Sequence, residues 1–471
     1  MTPLVLRDVE VAGTRTDVVV ADGLIRSVEA DTPAPPGATV VKGEGGALLP
    51  GLWDHHLHLL ALAAAARSVA AGAPDVTDRA GLAAALADAV RHRPGEWVRA
   101  VGYHESVAGE LDRDALDALC PDAPVRVQHR SGALWVLNSE AIRRLDLEDE
   151  HRPGVERDAA GRVTGRLYGL DRWLRDRLGP TGEDPPPDLA AVGRRLARHG
   201  VVGVTDATPY ERSGDLDLLA GAVASGALPQ RVVVTGGPAL AGHPAPPGLA
   251  RGPVKLRLAD HALPSLDELV GWVQVAHAAE RPVAVHCVTR EALVLTLAAL
   301  DEAGSRPGDR IEHGAVVPPD LHEPLRRHRL TVVTQPGFVA ERGDRYLVEV
   351  DPDDRPHLYP CGGLLRAGVA VAGSTDAPFG DPDPWRAIAA AATRRTAAGA
   401  TVGAEEAVGP ARALDLFLGA PDDPGGPPRR VEPGAAADLV LLGNPRAALL
   451  EDPAAAVVRA TIVDGRLVHG A

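Results

Sequence analysis

His56 and His58 stand two residues apart at the end of an apolar run, a spacing that puts both imidazoles on one face of a strand. Four more residues able to bind a metal or move a proton stand in or at the end of similar runs. They are Lys255 in VKLRL, His286 in PVAVHC, His313 in RIEHG and Asp376 in VAVAGSTD. Imidazoles, one amine and one carboxylate form a donor set suited to Zn2+ or a similar divalent ion. Each has an ordinary explanation when taken alone. His55 makes the HxH pair look like a histidine-rich accident, a strand histidine is usually hydrogen-bonded core, and Asp376 before Ala377-Pro378 could cap a turn. Five strands that each bring a ligand type to the same end are not explained that way.

The lysine count sharpens the reading. Lys42 and Lys255 are the only lysines in the chain, and every other basic side chain is arginine. Arginine replaces lysine at most solvated positions but fails where a primary amine is needed, because a guanidinium stays protonated. Lys42 lies in a polar turn before GEGG and reads as a surface residue. Lys255 stands among the candidate ligands.

These residues need elements to hold them at one end of a common sheet. Apolar runs alternate with Ala/Leu-rich helical stretches, the pattern of βα units and a parallel sheet. The runs are the one ending at His56 and His58, Val201–Ala207, Arg231–Gly237, Val254–Leu258, Pro282–Cys287, Arg310–Gly314, Leu330–Gln335 and Val369–Asp376. Eight such runs predict an α/β fold built on a (β/α)8 TIM barrel, whose active site lies at the carboxyl ends of the strands. Short alternating strands at both termini, separated by turns such as Asp22-Gly23 and Asp464-Gly465, predict a small β-sandwich domain outside the barrel, with its strands in a single sheet. Its halves are residues 1–49 and 405–471, flanking a barrel over 50–404. An insertion over about 74–187, ending in the proline-rich TGEDPPPD, is too long for a βα loop and predicts a subdomain over the barrel mouth. Tyr103, His104 and Trp135 in that insertion, with Phe338, are candidates for a substrate pocket.

Composition sets the class. The chain has 471 residues, 45% of them hydrophobic, which suffices for a large core. Its 49 basic and 64 acidic side chains give a net charge of −15, which argues against a nucleic-acid or anionic-membrane partner. Cys120, Cys287 and Cys361 lie far apart without a CxxC pair, so a reducing, cytoplasmic setting is expected. Met1 opens directly onto a strand-like VLRDVEVAG, so no signal peptide is expected. The run Leu57 to Ala66 is too short to cross a bilayer. The expected partner is a small-molecule substrate, with self-association into a homo-oligomer left open.

The motifs LLPGLWDHHLHL, VKLRLADH, AVHC, RIEHG and GSTDAPFG, followed by ADLVLLGNP and IVDGRLV, closely resemble those of the amidohydrolase superfamily of metal-dependent hydrolases. The resemblance spans essentially the whole chain. GYHES, HRSGALWVLNSEAI and GVERDAAGRVTGRLYG resemble the branch containing N-substituted formamide deformylases. Matched residue by residue, the resemblance implies His56, His58, His286 and His313 as metal ligands and Asp376 as ligand and catalytic acid/base. Lys255 falls where several branches carry a carboxylated lysine bridging two metals, and only an amine can take up CO2 in that way. The implied cofactor is one or two divalent ions, zinc first. The implied reaction is hydrolysis of an amide, N-acyl or cyclic amide C–N bond by a metal-activated hydroxide. Asp54 and His55 are expected to act structurally beside the site, and Asp206 and Asp260 to support it.

The chain departs from the deformylase-like pattern at two places. Ser131-Gly132-Ala133 stands where Asp-Gly-His is usual, and Ala259-Asp260-His261 where Ala-Asp-Gly is usual, so a particular substrate does not carry over. Two other functions compete. A mononuclear deaminase of the same superfamily usually has a glutamate three residues after the strand-five histidine; here that residue is Thr289, and Glu291 is out of phase. A non-catalytic scaffold would be expected to lack ligands, whereas the full set stands here.

Overall fold

Six consecutive buried residues, Leu52–Leu57, form the strand that carries the first histidines. A strand covered on both faces reads as a continuous run rather than an alternation, as in parallel sheets flanked by helices. All eight apolar runs are strands in this computed structural model: Leu52–Leu57, Val201–Asp206, Arg231–Val234, Val254–Arg257, Val283–Cys287, Arg310–His313, Thr331–Thr334 and Ala370–Gly373. The structure describes residues 2–73, 75–179 and 187–470, so most of TGEDPPPD lies outside the described residues.

The ladders joining these strands are parallel. The first three, with the short Leu249–Arg251, make one four-stranded sheet, and the fourth to eighth make a second, of five strands. Backbone hydrogen bonds tie the first strand to the turn after the eighth. Asp376 N–H donates to the His56 carbonyl and His58 N–H to that of Ala377, both at 2.9 Å. Lys255 N–H donates to the Gly236 carbonyl at 2.8 Å, linking the fourth strand to the end of the third. Helices follow the strands, and two of them show how local chemistry starts them. Leu266–Ala278 opens on a capping box in which Ser265 and Glu268 satisfy each other's backbone amides. Arg290–Ala303 opens on Thr289, whose hydroxyl accepts from Ala292 N–H at 3.3 Å.

The terminal strands differ from the single sheet that their alternation suggests. They form two four-stranded sheets. One holds Leu4–Val11, Thr14–Ala21, Leu24–Glu29 and Thr39–Lys42; the other holds Leu48–Pro50, Leu439–Leu442, Val458–Val463 and Arg466–His469. The reason is edge occupancy. Thr39–Lys42 adds in parallel to the edge of Leu4–Val11, so the C-terminal strands take Leu48–Pro50 as their partner. Leu6, Val18, Ile25, Leu48, Leu439 and Ile462 nevertheless bury into one core.

The chain divides into two compact units, Met1–Leu59 with Leu189–Ala471, and Leu60–Asp188. The second unit is a six-stranded sheet in the order Val155–Arg157, Val163–Tyr168, Leu134–Leu137, Val125–His129, Val98–Tyr103 and Val69–Ala70. Its core includes Leu82, Leu86, Val125 and Val127, and a second cluster around Trp135, Leu137, Ile142 and Leu167. No helix among the described residues is long and apolar enough to cross a membrane.

Candidate metal centre

One nitrogen each from His56 and His58 and one oxygen of Asp376 lie within 4.8 Å of one another. His56 Nε2 is 3.5 Å and His58 Nε2 3.3 Å from Asp376 Oδ1. The protein fixes which nitrogen of each ring faces inward. His56 Nδ1 bonds to Glu312 Oε2, and Glu312 is in turn held by Arg310 Nε at 2.6 Å. His58 Nδ1 bonds to Thr208 Oγ1 at 2.8 Å. An imidazole whose Nδ1–H is donated to an oxygen presents a lone pair at Nε2, the form a cation needs. The His58 side chain is 15% exposed against 1% for His56, so the open side of the site lies at His58.

The fifth and sixth strands bring a second pair. His313 Nε2 and His286 Nδ1 face each other at 2.9 Å, and Gln335 Oε1 holds His313 Nδ1 at 2.9 Å. The His56 and His313 ring centroids are 4.8 Å apart, so the two pairs adjoin. His313 and Asp376 have φ of 69° and 55°, in the left-handed region that non-glycine residues seldom adopt. Holding two residues there costs about 1–3 kcal/mol each, strain of the kind that collects at functional sites.

Burial sets the protonation states. It pulls the His56 imidazolium down to about 3, aided by the Lys255 charge, and takes His286 well below its ordinary value. His313 is lowered for the same reason. All three rings are therefore neutral near pH 7. Burial pushes the Asp376 carboxyl up, but the facing His58, His56 and His313 rings outweigh it and hold the group below the usual carboxylate range. Burial also pulls the Lys255 ammonium down to about 8, against the raising effect of Glu312 and Asp376.

A divalent cation fits what these residues leave open. His56 Nε2, Asp376 Oδ1 and Lys255 Nζ are buried without a hydrogen-bond partner. An unsatisfied buried polar group costs about 1–3 kcal/mol, so orphans gathered at one place mark where a ligand belongs. A neutral imidazole nitrogen, a carboxylate oxygen and a nearby amine are donors, acceptors and charge of the right kind for such an ion.

The surrounding residues take distinct places. Asp54 accepts from the amides of His56 and Thr375 at 3.2 and 3.1 Å and from the Thr375 hydroxyl at 2.5 Å; burial raises its carboxyl to about 7. It braces the first strand against the Asp376 turn. His55 is fully buried and stacks on Trp53. Asp206 accepts from Leu59 N–H, Thr208 N–H and Tyr210 O–H, and so positions Thr208, the partner of His58. Asp260 is exposed and accepts from the Thr289 hydroxyl at 3.0 Å, with no hydrogen bond to Lys255.

Among the pocket candidates, Phe338 is buried against Tyr359 with the Arg342 guanidinium over its ring. Tyr103, His104 and Trp135 belong to the inserted unit. Tyr103 donates its hydroxyl to the Gly109 carbonyl, and Trp135 is core, its Nε1 donating to Asp171 at 2.9 Å. His104 is described below.

Sequence reasoning passed over Glu312, Arg310 and Gln335, which orient the histidines. A charged pair inside the fully buried run Arg310–His313 was the available signal, since charges are almost never buried unpaired. Phe379, packed edge-on against His58 at 5.6 Å between centroids, was passed over as well.

Comparisons with known proteins agree with this geometry. The model of the amidohydrolase family matches residues 39–469. An N-substituted formamide deformylase of Arthrobacter pascens is 27% identical over 505 aligned residues, covering 90% of this chain and 89% of that protein. The crystal structure of an uncharacterized metal-dependent hydrolase from Pyrococcus horikoshii OT3 has the same fold, with a TM-score of 0.74 at 20% identity over 99% of this chain and 100% of that one. Another, from Pyrococcus furiosus, gives 0.70 at 21% identity over 93% and 98%. The chain belongs to the amidohydrolase family and is an enzyme.

Proposed function

We propose that this enzyme hydrolyses a C–N bond of a small molecule, an amide, N-acyl or cyclic amide, with a divalent cation held by His56, His58, His286, His313 and Asp376. The reading includes the two parallel sheets acting as one (β/α)8 barrel, with the terminal strands as a β-sandwich beside it. The observation that carries it is the convergence of His56 Nε2, His58 Nε2 and Asp376 Oδ1, with the rings fixed by Glu312 and Thr208. A cation bound there supplies Lewis-acid polarisation of the scissile carbonyl and a more acidic water. Asp376, ionised and facing the imidazoles, takes the proton from the attacking water and delivers it to the leaving nitrogen. His58, on the open side, and Phe379 beside it shape the approach of the substrate.

Lys255 adds a second element. Its amine is buried, partnerless and pulled toward neutrality. Reaction with CO2 forms an N–C bond, releases one proton from nitrogen and turns the side chain into an anionic carbamate able to ligate cations. Thr289 caps a helix and binds Asp260, which leaves no carboxylate at the position a deaminase would use.

The test combines metal analysis of the purified protein with a screen of N-formyl, N-acyl and cyclic amides, starting with N-substituted formamides. Hydrolysis that is lost on chelation and restored by Zn2+ is expected. A fully metal-loaded protein inert across the three classes would overturn the substrate reading.

A further inference from the structure

We propose that His104, Glu105 and His129 form a second divalent-cation site, within the inserted unit, that takes a first-row transition ion such as Zn2+ or Co2+. One ligand atom from each residue lies within 4.8 Å of the others. His104 Nε2 is 3.0 Å and His129 Nε2 3.4 Å from the same carboxylate oxygen, Glu105 Oε2. The sheet makes this meeting. Val98–Tyr103 and Val125–His129 are neighbouring parallel strands, and Tyr103 pairs with His129, so the two histidines leave the same edge of the sheet together.

Both rings are held by the same device. In each His-x-Ser segment the serine two residues on reaches back to Nδ1, at 2.9 Å from Ser106 Oγ and 2.8 Å from Ser131 Oγ. The amides of Ser106 and Ser131 point to the same nitrogens at 3.0 and 3.2 Å. The remaining nitrogen, Nε2, is thereby aimed inward on both residues, and that of His129 is buried without a hydrogen-bond partner. Two imidazoles and a carboxylate are a sufficient protein contribution for zinc when a further position is left to water or another ligand. Glu105 also lines a cavity of about 110 Å3 shared with Tyr103, Glu110, Arg166 and Tyr168.

Cation binding shifts the ring proton. With Nδ1 accepting the serine amide, the ring proton sits on Nε2, facing Glu105. The cation takes that place, and the proton moves to Nδ1, where the serine hydroxyl turns to accept the hydrogen bond. The competing arrangement is a plain pair of contacts in which both rings donate Nε2–H to Glu105.

The experiment uses the full-length chain, stripped with a chelator and titrated with Co2+, followed by visible absorption and calorimetry. Wild type is expected to bind one equivalent more than Glu105→Gln/His129→Ala. A His56→Ala/His58→Ala protein is expected to keep one equivalent with a nitrogen-ligated Co2+ spectrum, and to lose it when His129→Ala is added. Equal stoichiometry in wild type and Glu105→Gln/His129→Ala would overturn the second site. Should the barrel variant fail to fold by circular dichroism, that wild-type comparison still decides. If the barrel changes remove no cation, the barrel reading fails while the inserted site stands.

Discussion

The parallel strands and the inserted unit each bring two imidazoles and one carboxylate together, but they support them differently. At the ends of the parallel strands the rings are oriented by residues remote in sequence: Glu312 holds His56 across 256 residues and Thr208 holds His58 across 150. In the inserted unit each ring is oriented by its own serine, two residues on. His56 is 1% exposed as a side chain, whereas His104 and His129 are 16% and 17% exposed and Glu105 is 42%. Remote support places charged groups in a low-dielectric interior, where each interaction is stronger and each unpaired atom more costly. Local support forms with the loop and leaves the site wet. On the proposed reading, the difference separates a centre that activates water from one that only holds an ion.

The largest expected effect tests the catalytic half of that contrast. Asp376→Asn keeps the shape but removes the group that moves the proton, so kcat should fall about 1,000-fold, within the usual range for losing general acid–base catalysis. Steady-state kinetics at saturating Zn2+ checks it. A loss under tenfold would move the proton-transfer role elsewhere and weaken the contrast.

Lys255 comes next, since burial without a partner should destabilise the end of its strand when no cation is present. Its folded value of about 8 against the ordinary 10.5 means the unfolded chain binds more protons between those limits. Below about pH 8 the ammonium is charged in both states, and the full penalty, about 3 kcal/mol, opposes folding. From pH 8 to 10.5 the penalty fades, and stability climbs with pH. Lys255→Met in chelated protein should therefore raise the urea midpoint at pH 7, with the gain shrinking toward pH 10. The same change should abolish hydrolysis. A destabilised, chelated Lys255→Met at pH 7 would show that the amine has a favourable partner.

Glu312→Gln addresses remote support directly. The amide can still accept from His56 Nδ1–H but loses the charge that Arg310 and His56 share. Loss of such an outer partner typically weakens cation affinity about 10–100-fold. Competition with a calibrated chelator measures it. An unchanged affinity would mean that Glu312 serves only to neutralise Arg310.

How much of this was legible in the sequence follows the same division. The eight strands were readable because burial on both faces leaves unbroken apolar runs, and His56, His58 and Asp376 were readable because a ligand residue interrupts such a run. Glu312 was not, because its role depends on the register between the fifth and sixth strands, where His286 pairs with Glu312. Register is a tertiary fact, and periodicity carries none of it. The two terminal sheets were misjudged as one for a related reason: alternation shows which strands are half-buried, and pairing depends on which edge is free. Tyr103 and Trp135 drew notice as aromatics in the insertion, yet Trp135 fills the core of that unit, the commonest place for a large ring. His104 was read as a pocket residue, and its link to His129 waited on the Tyr103–His129 pairing.

The smallest expected effect concerns local support. Ser131→Ala removes the hydroxyl 2.8 Å from His129 Nδ1 and keeps the Ser131 amide that points to the same nitrogen at 3.2 Å. The hydroxyl is the one group there able to accept a proton from Nδ1, since the amide can only donate. Its loss costs the cation-bound state more, because Nδ1–H is left there without an acceptor, whereas in the cation-free state the Ser131 amide still donates to Nδ1. One neutral hydrogen bond in a partly exposed setting is worth about 0.5–1 kcal/mol, so Co2+ affinity at the inserted site should fall about 2–5-fold. The measurement belongs in the His56→Ala/His58→Ala background, where the proposed catalytic centre does not compete. Water can reach the position vacated by Oγ and recover part of the loss, which is why the effect stays well below that of Glu312→Gln. A fall beyond tenfold would mean the serine does for His129 what Glu312 does for His56, and the two kinds of support would be equivalent. No fall at all would place the proton on Nε2 in both states, and His129 would then be an ion-pair partner of Glu105 rather than a ligand.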